Sequence, residues 1–136
     1  MKSKTLAAGM ESLDPLQDFI FKCAEDRGMA MDRIQKVQLA SEEALVNIFS
    51  YAYPPGETGE VTVTCSLENR TDFKIVLEDS GQPFDMLTRE DPDTTLSLEN
   101  RGIGGLGIFF VKQMMDRVDY CRREEKNILT LTISLT

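Results

Sequence analysis

Apolar residues recur along this chain in two periods. Leu16, Phe19, Ile20 and Cys23 stand three or four apart, the spacing of one helix face, and this predicts a helix over residues 11–27. Asp14 before Pro15 reads as its N-cap with proline in the first turn, and Gly28 ends it. A second helix, capped by Asp32, runs to about Tyr53, where Pro54-Pro55-Gly56 stops it. The period then changes to two. Val61, Val63, Cys65 and Leu67 alternate with polar residues, and after a turn at 69–71 so do Phe73, Ile75 and Leu77. A third helix is expected over about 106–116, and two last strands over 118–122 and 128–135. A short edge strand is expected at 4–8. Strand pairs segregated from helices predict an α+β fold: a two-layer α/β sandwich, its mixed sheet carrying helices on one face.

The stretch from Ser80 to Gly105 fits neither period. It is long, polar and rich in Asp, Thr and Pro. Structureless loops above ~15 residues in a small domain are usually functional or disordered.

Composition narrows the possible roles. The 136 residues suit one domain, 1–136, and 41% apolar with 28% charged content suits a folded chain. The net charge of −8, with no basic stripe, argues against DNA or RNA as a direct partner. No apolar run approaches the ~20 residues of a membrane span, so no membrane association is expected. Cys23, Cys65 and Cys121 lie in helix-like or strand-like runs and read as buried free thiols in a reducing cytoplasm. The chain has no histidine, which removes histidine triads, histidine metal sites and phosphohistidine chemistry within it.

Three local features depart from plain core patterning. On the second helix, Lys36, Ala40, Glu43, Asn47 and Ser50 share a stripe roughly 80° wide, opposite Ile34, Val37, Leu45, Ile48 and Ala52. Residues 44–53 are apolar nearly all round, so Asn47 must meet a polar partner. Either it caps a neighbouring backbone group while Glu43 pairs with Lys36 or solvent, or both face a ligand. Asp79 continues the inward face of Phe73, Ile75 and Leu77 and is followed by Gly81. It is either a turn cap or an acceptor aimed at a donor in a pocket. Finally, R-G-I-G-G-L-G (101–107) opens the third helix, and Gly102, Gly104 and Gly107 spell G-x-G-x-x-G. A Rossmann site needs a strand just before that motif, and none is predicted, although Glu124-Glu125 stands at about the right distance downstream. Only eleven residues follow Glu125, too few for a dinucleotide half. The remaining readings are a phosphate cradle at a helix N-terminus and a packing hinge. Taken together, an inward carboxylate for an exocyclic amine, a glycine-lined helix start for phosphates, an Asn oxygen for Mg²⁺ and a nearby Glu for a hydroxyl proton describe nucleotide chemistry.

The order Glu43-x-x-x-Asn47, Asp79-x-Gly81, then Gly105-x-Gly107 before a helix resembles the Bergerat-fold, histidine-kinase-like ATPases. Within them it is most similar to the small serine kinases that act as bacterial anti-sigma factors. "SEEALVN" with "YAYP", "LEDSGQPFD" and "GGLGIFFVKQMMDRVDY" carry the likeness, over about 13–135.

The resemblance implies that Glu43 is the catalytic base and Asn47 the Mg²⁺ ligand. It makes Asp79 the adenine-binding aspartate and Gly81 the glycine beside the base. A lid spans about 84–105. Gly105, Leu106 and Gly107 would meet the phosphates, with Gly102 and Gly104 as neighbours and Arg101 toward the terminal phosphate. The family's threonine on the penultimate strand is not matched in Asn127–Thr130, and Ser50 stands where many relatives carry histidine. The implied activity is a Mg-ATP-dependent serine/threonine protein kinase in a partner-switching circuit. Its partners would be a sigma factor and a STAS-domain antagonist that it phosphorylates, and a homodimer is also implied. A non-catalytic, ATP-gated binding module of the same fold is the alternative, but it has no need of Glu43. The ATP-binding half of a histidine kinase would want the missing histidine.

Overall fold

The computed structural model describes residues 1–88 and 105–136, the side chains of 88, 105 and 106 excepted. Five strands form one sheet: β1 (Lys2–Ala7), β2 (Glu60–Glu68), β3 (Asp72–Asp79), β4 (Arg117–Arg123) and β5 (Lys126–Ser134), in the order β1-β2-β3-β5-β4. Helices α1 (Leu13–Asp26), α2 (Met31–Tyr51) and α3 (Gly105–Met114) supply the second layer. Alternation sets which sheet face they cover. Val61, Val63, Phe73, Ile75, Leu77, Leu129, Leu131 and Ile133 are buried in one core with Leu16, Ile20, Val37, Leu45, Ile48, Ile108 and Val111 of the helices. On the other face, hydroxyl pairs bridge the edge strand β1 to its neighbour β2, Ser3 to Thr64 and Thr5 to Thr62, each at 2.8 Å.

The α+β sandwich with helices on one face is therefore found, but the sheet is not mixed. All four pairings are antiparallel. The reason is the last hairpin. β3, α3 and β4 make a crossover that leaves β3 and β4 pointing the same way, and β5 then folds back between them. The β4–β5 turn is tight enough to place Glu124 and Glu125 at φ 52° and 65°.

Both expected helix caps shift by about a turn or less. A 3-10 turn at Met10–Ser12 leads into α1, so its N-cap is Ser12 and Asp14-Pro15 lie within the first turn, where proline's missing N–H costs nothing. The N-cap of α2 is Ala30, whose N–H is tied to Leu135 O at 3.2 Å and whose carbonyl accepts from Arg33 and Ile34. Asp32 falls in the first turn instead, still at the positive end of the helix. Gly28, at φ +75°, closes α1 as expected.

The C-terminus of α2 fixes the loop after β3. Its last carbonyls are helix orphans. Gln82 N–H donates to Ala52 O at 2.7 Å, and Gln82 Nε2 donates to Tyr51 O at 2.7 Å. Gly81 lies so close that a Cβ there would collide with the Ala52 carbonyl. Tyr53 completes the join: its hydroxyl donates to Glu60 O at 2.7 Å and accepts from Ser80 N–H at 2.9 Å. Burial raises the Tyr53 pKa, so the phenol keeps the proton it donates.

Cys23 and Cys65 are buried, but Cys121 is exposed, contrary to the sequence expectation: it lies on the uncovered sheet face of the outermost strand. Burial and the adjoining Cys23 thiol push the Cys65 pKa up. A thiol reagent should therefore label one cysteine of the native protein rapidly, Cys121 by peptide mapping, and all three only after denaturation. Gly81→Ala should destabilise by ~1–3 kcal/mol, the cost of overpacking against backbone that has nowhere to move, read as a lower urea midpoint.

Candidate functional site

Three of the buried polar residues, Asn47, Asp79 and Asn127, are each about 4% exposed; Asn47 lies on α2, and Asp79 and Asn127 stand opposite one another on β3 and β5. Burying such groups requires partners, and the partners define the site.

Glu43 and Asn47 sit one turn apart on α2, on the stripe that meets α3. Asn47 Nδ2 donates to Glu43 O at 2.8 Å. Only the amide nitrogen can serve a carbonyl, so this bond settles the orientation of the side chain and turns Oδ1 away from the helix backbone. Among the described residues, Oδ1 accepts no hydrogen bond. Glu43 forms no ion pair among the described residues, with Lys36 or any other cation. Its carboxylate lies against Gly107, where a Cβ would collide with Oε2. The missing side chain is what lets the first turn of α3, with its free N–H groups and partial positive charge, stand over the acid. Further along, Arg33 near the start of α2 approaches Asp116 beyond the end of α3 at 3.8 Å. The two helices therefore run antiparallel.

Asp79 occupies the inward face at the end of β3, as its alternation predicted. The structure shows its turn-capping role directly. Oδ1 accepts from Gly81 N–H at 2.9 Å, the turn-capping geometry, and from Asn127 Nδ2 at 2.9 Å. Oδ2 receives no hydrogen bond among the described residues. A cavity of about 1020 Å³ opens beside Asp79 and Gly81 and runs round the sheet end to Thr62 and Glu78. It does not reach Glu43 or Asn47, so it is not by itself the space that joins the two halves.

Asn127 was ambiguous in the sequence, and the register of β5 singles it out. It stands directly opposite Asp79, on the last strand rather than the penultimate one. Its oxygen accepts from Tyr120 Oη at 2.5 Å, from Arg122 at 3.1 Å and from Phe84 N–H at 3.2 Å, while Nδ2 also donates to Gln82 O at 2.8 Å. Arg122 donates further to Gly81 O at 2.9 Å. Burial raises the Tyr120 pKa, and the nearby Asp85 carboxylate adds to it. A period-two pattern cannot reveal such a hub, because Asn127 opens a strand like many turn-flanking polar residues. Only the pairing with Asp79 distinguishes it.

Of the other residues singled out from the sequence, Gly105 and Leu106 open α3. Arg101, Gly102 and Gly104, and with them most of the stretch expected to form a lid, lie outside the described residues. Glu124-Glu125, the acidic pair at Rossmann distance, is the β4–β5 turn. Among the described residues, no helix is long and apolar enough to cross a membrane.

Comparison with known proteins identifies the family and the fold. A family model described as a histidine kinase-like ATPase domain matches residues 6–133. The serine/threonine-protein kinase BtrW of Bordetella bronchiseptica is 32% identical over 94 residues, 69% of this chain and 66% of that protein. The serine-protein kinase RsbW of Listeria monocytogenes is 31% identical over 100 residues, 70% of this chain and 62% of that protein. The chain thus spans just under two thirds of the length of these relatives. Among solved structures, the RsbU and RsbW domains of Rv1364c from Mycobacterium tuberculosis superpose with a TM-score of 0.67 over 98% of this chain and 32% of that one. At 12% identity, that likeness speaks for the fold alone. With a match that runs nearly end to end and a sandwich of the same kind, the chain belongs to the histidine kinase-like ATPase domain family.

Proposed function

We propose that this protein is a Mg-ATP-dependent serine/threonine protein kinase that acts as an anti-sigma factor, phosphorylating a STAS-domain antagonist in a partner-switching circuit. The observation that carries the reading is the arrangement along α2. Glu43 meets the first turn of α3, Asn47 is buried beside it, and Ala52 seats the Asp79–Gly81 loop. Nine residues separate Glu43 from Ala52, about 13 Å of helix rise, so both ends of one extended nucleoside triphosphate are addressed from a single rigid element. The kinase names of the two relatives support the same conclusion.

In this reading each residue has a separate task. Asp79 Oδ2, free of donors among the described residues, accepts a hydrogen bond from the adenine amine, and Gly81 lets the backbone lie close to the base. Gly105, Leu106 and Gly107 present backbone N–H groups to the phosphates at the start of α3, and Arg101, Gly102 and Gly104 belong to the same cradle from the lid. Asn47 Oδ1 fits Mg²⁺, a hard cation that takes few protein ligands and shares phosphate oxygens. Bound there, Mg²⁺ would offset charge on the transferring phosphoryl group. Glu43 accepts the proton of the acceptor hydroxyl as its oxygen bonds to the γ-phosphorus and ADP leaves. The sigma factor, the STAS-domain antagonist, a homodimeric state and a cytoplasmic location come to this chain from its family resemblance.

The direct test is incubation with Mg-ATP and an unphosphorylated STAS-domain protein from the source cell, followed by phosphosite mapping. Phosphate should appear on a serine or threonine of that acceptor. ATP binding without transfer would instead support the non-catalytic module. Glu43→Ala should retain ATP binding and lose protein phosphorylation, and equal turnover by the variant would remove the base assignment. Asp79→Asn should weaken adenine-nucleotide binding by ~1–3 kcal/mol through loss of a charge-assisted hydrogen bond, measured by calorimetry.

A further inference from the structure

Asn127 has more hydrogen bonds than any role so far given to it requires. A primary amide offers two donor hydrogens and an oxygen with two lone pairs. Here Nδ2 gives both hydrogens to protein acceptors, Asp79 Oδ1 at 2.9 Å and Gln82 O at 2.8 Å. The oxygen is surrounded by three protein donors, Tyr120 Oη, Arg122 and Phe84 N–H. Two acceptors on one side and three donors on the other admit only one orientation of the amide. The side chain is buried, which limits competition from water for these bonds. Asn127 therefore has nothing left to offer a base.

We infer that Asn127 is the positioning residue of the nucleotide site: it holds Asp79 so that Oδ2 alone is presented to the base, and it ties that carboxylate to Phe84, where the lid begins. The inference rests on the nucleotide reading given above. Asp79 Oδ1 has both lone pairs filled, by Gly81 N–H and Asn127 Nδ2, which leaves a single acceptor of fixed direction. The same amide grips three further parts of the site. Gln82 O belongs to the loop that caps α2, Arg122 reaches across to Gly81 O at 2.9 Å, and Phe84 N–H leads out of that loop. The ring of Phe84 lies 5.1 Å from that of Tyr51, centroid to centroid, so the start of the lid is held on one side by α2 and on the other by β5. Base recognition and lid anchoring thus share one side chain. A residue that merely filled space at this strand position would couple to neither.

The experiment is a double-mutant cycle read in two ways on the full chain. Calorimetry with Mg-ATP as the probe gives Kd for wild type, Asn127→Ala, Asp79→Asn and the double variant. Amide hydrogen–deuterium exchange without nucleotide follows Gly81, Gln82 and Phe84. Asn127→Ala should raise Kd by about tenfold, since buried partners lose their bonds, and should speed exchange at Phe84. In the Asp79→Asn background, the same change should alter Kd by less than about twofold, because the carboxylate it positions is gone. Tyr120→Phe, which removes one bond and leaves the amide in place, should raise Kd about twofold to fivefold and serves if Asn127→Ala fails to fold. Multiplying effects in the double variant, or unchanged Kd in Asn127→Ala, would overturn the inference. If wild type binds no Mg-ATP, the nucleotide reading fails, and the exchange data still decide the clamp: unchanged protection at Phe84 in Asn127→Ala refutes it.

Discussion

The closure of the α2 C-terminus is the constraint on which the site depends. A helix ends with carbonyls that have no partner, and a buried end needs donors from elsewhere. Here they come from the residue just past Asp79-Ser80-Gly81: Gln82 satisfies Ala52 O with its backbone and Tyr51 O with its side chain. The helix thereby becomes the seat of the loop. Gly81 makes the seat close, since any Cβ would meet the Ala52 carbonyl, and Tyr53 braces it from the far side through Ser80. Remove this junction, and Asp79 would still end a well-paired strand but would have no fixed relation to Glu43 and Asn47.

The second fixed relation is the antiparallel packing of α3 on α2, with Gly107 against Glu43 and Asp116 near Arg33. Sheet and helices alone would make an ordinary two-layer core, held by burial of aliphatic faces. Three of the polar insertions into that core have named partners: Asn47 with Glu43 O, Asp79 with Gly81 and Asn127, and Asn127 with five groups. Among the described residues, Asn47 Oδ1 and Asp79 Oδ2 have no protein donor, and these are the atoms proposed to meet the ligand.

Much of this was legible in one sequence, for reasons that differ by element. Period-two alternation placed Asp79 on the inner face, and the structure finds it there, because a strand's pleat leaves no choice. The Glu43–Asn47 spacing put both on one helix face for the same kind of reason. What failed were features set by neighbours in space. Asp14 and Asp32 are sound capping residues, yet a 3-10 turn and a backbone bond to Leu135 moved both helix starts upstream. Cys121 looks like any strand cysteine until β4 proves to be the sheet edge. The sheet's pairing could not be read because β5 returns between β3 and β4, and the importance of Asn127 appears only with that return. The departure from a mixed sheet and the missed hub therefore have one cause.

α2 also limits how this chain can vary in length. Inserting a single residue between Asn47 and Ala52 would turn everything beyond it by about 100° and shift it about 1.5 Å along the axis. The carbonyl that receives Gln82 would then point elsewhere while Glu43 stayed in place. Lineages descended from such a chain should thus keep the count between these two positions constant, whatever gaps they accept in the connection that follows the helix.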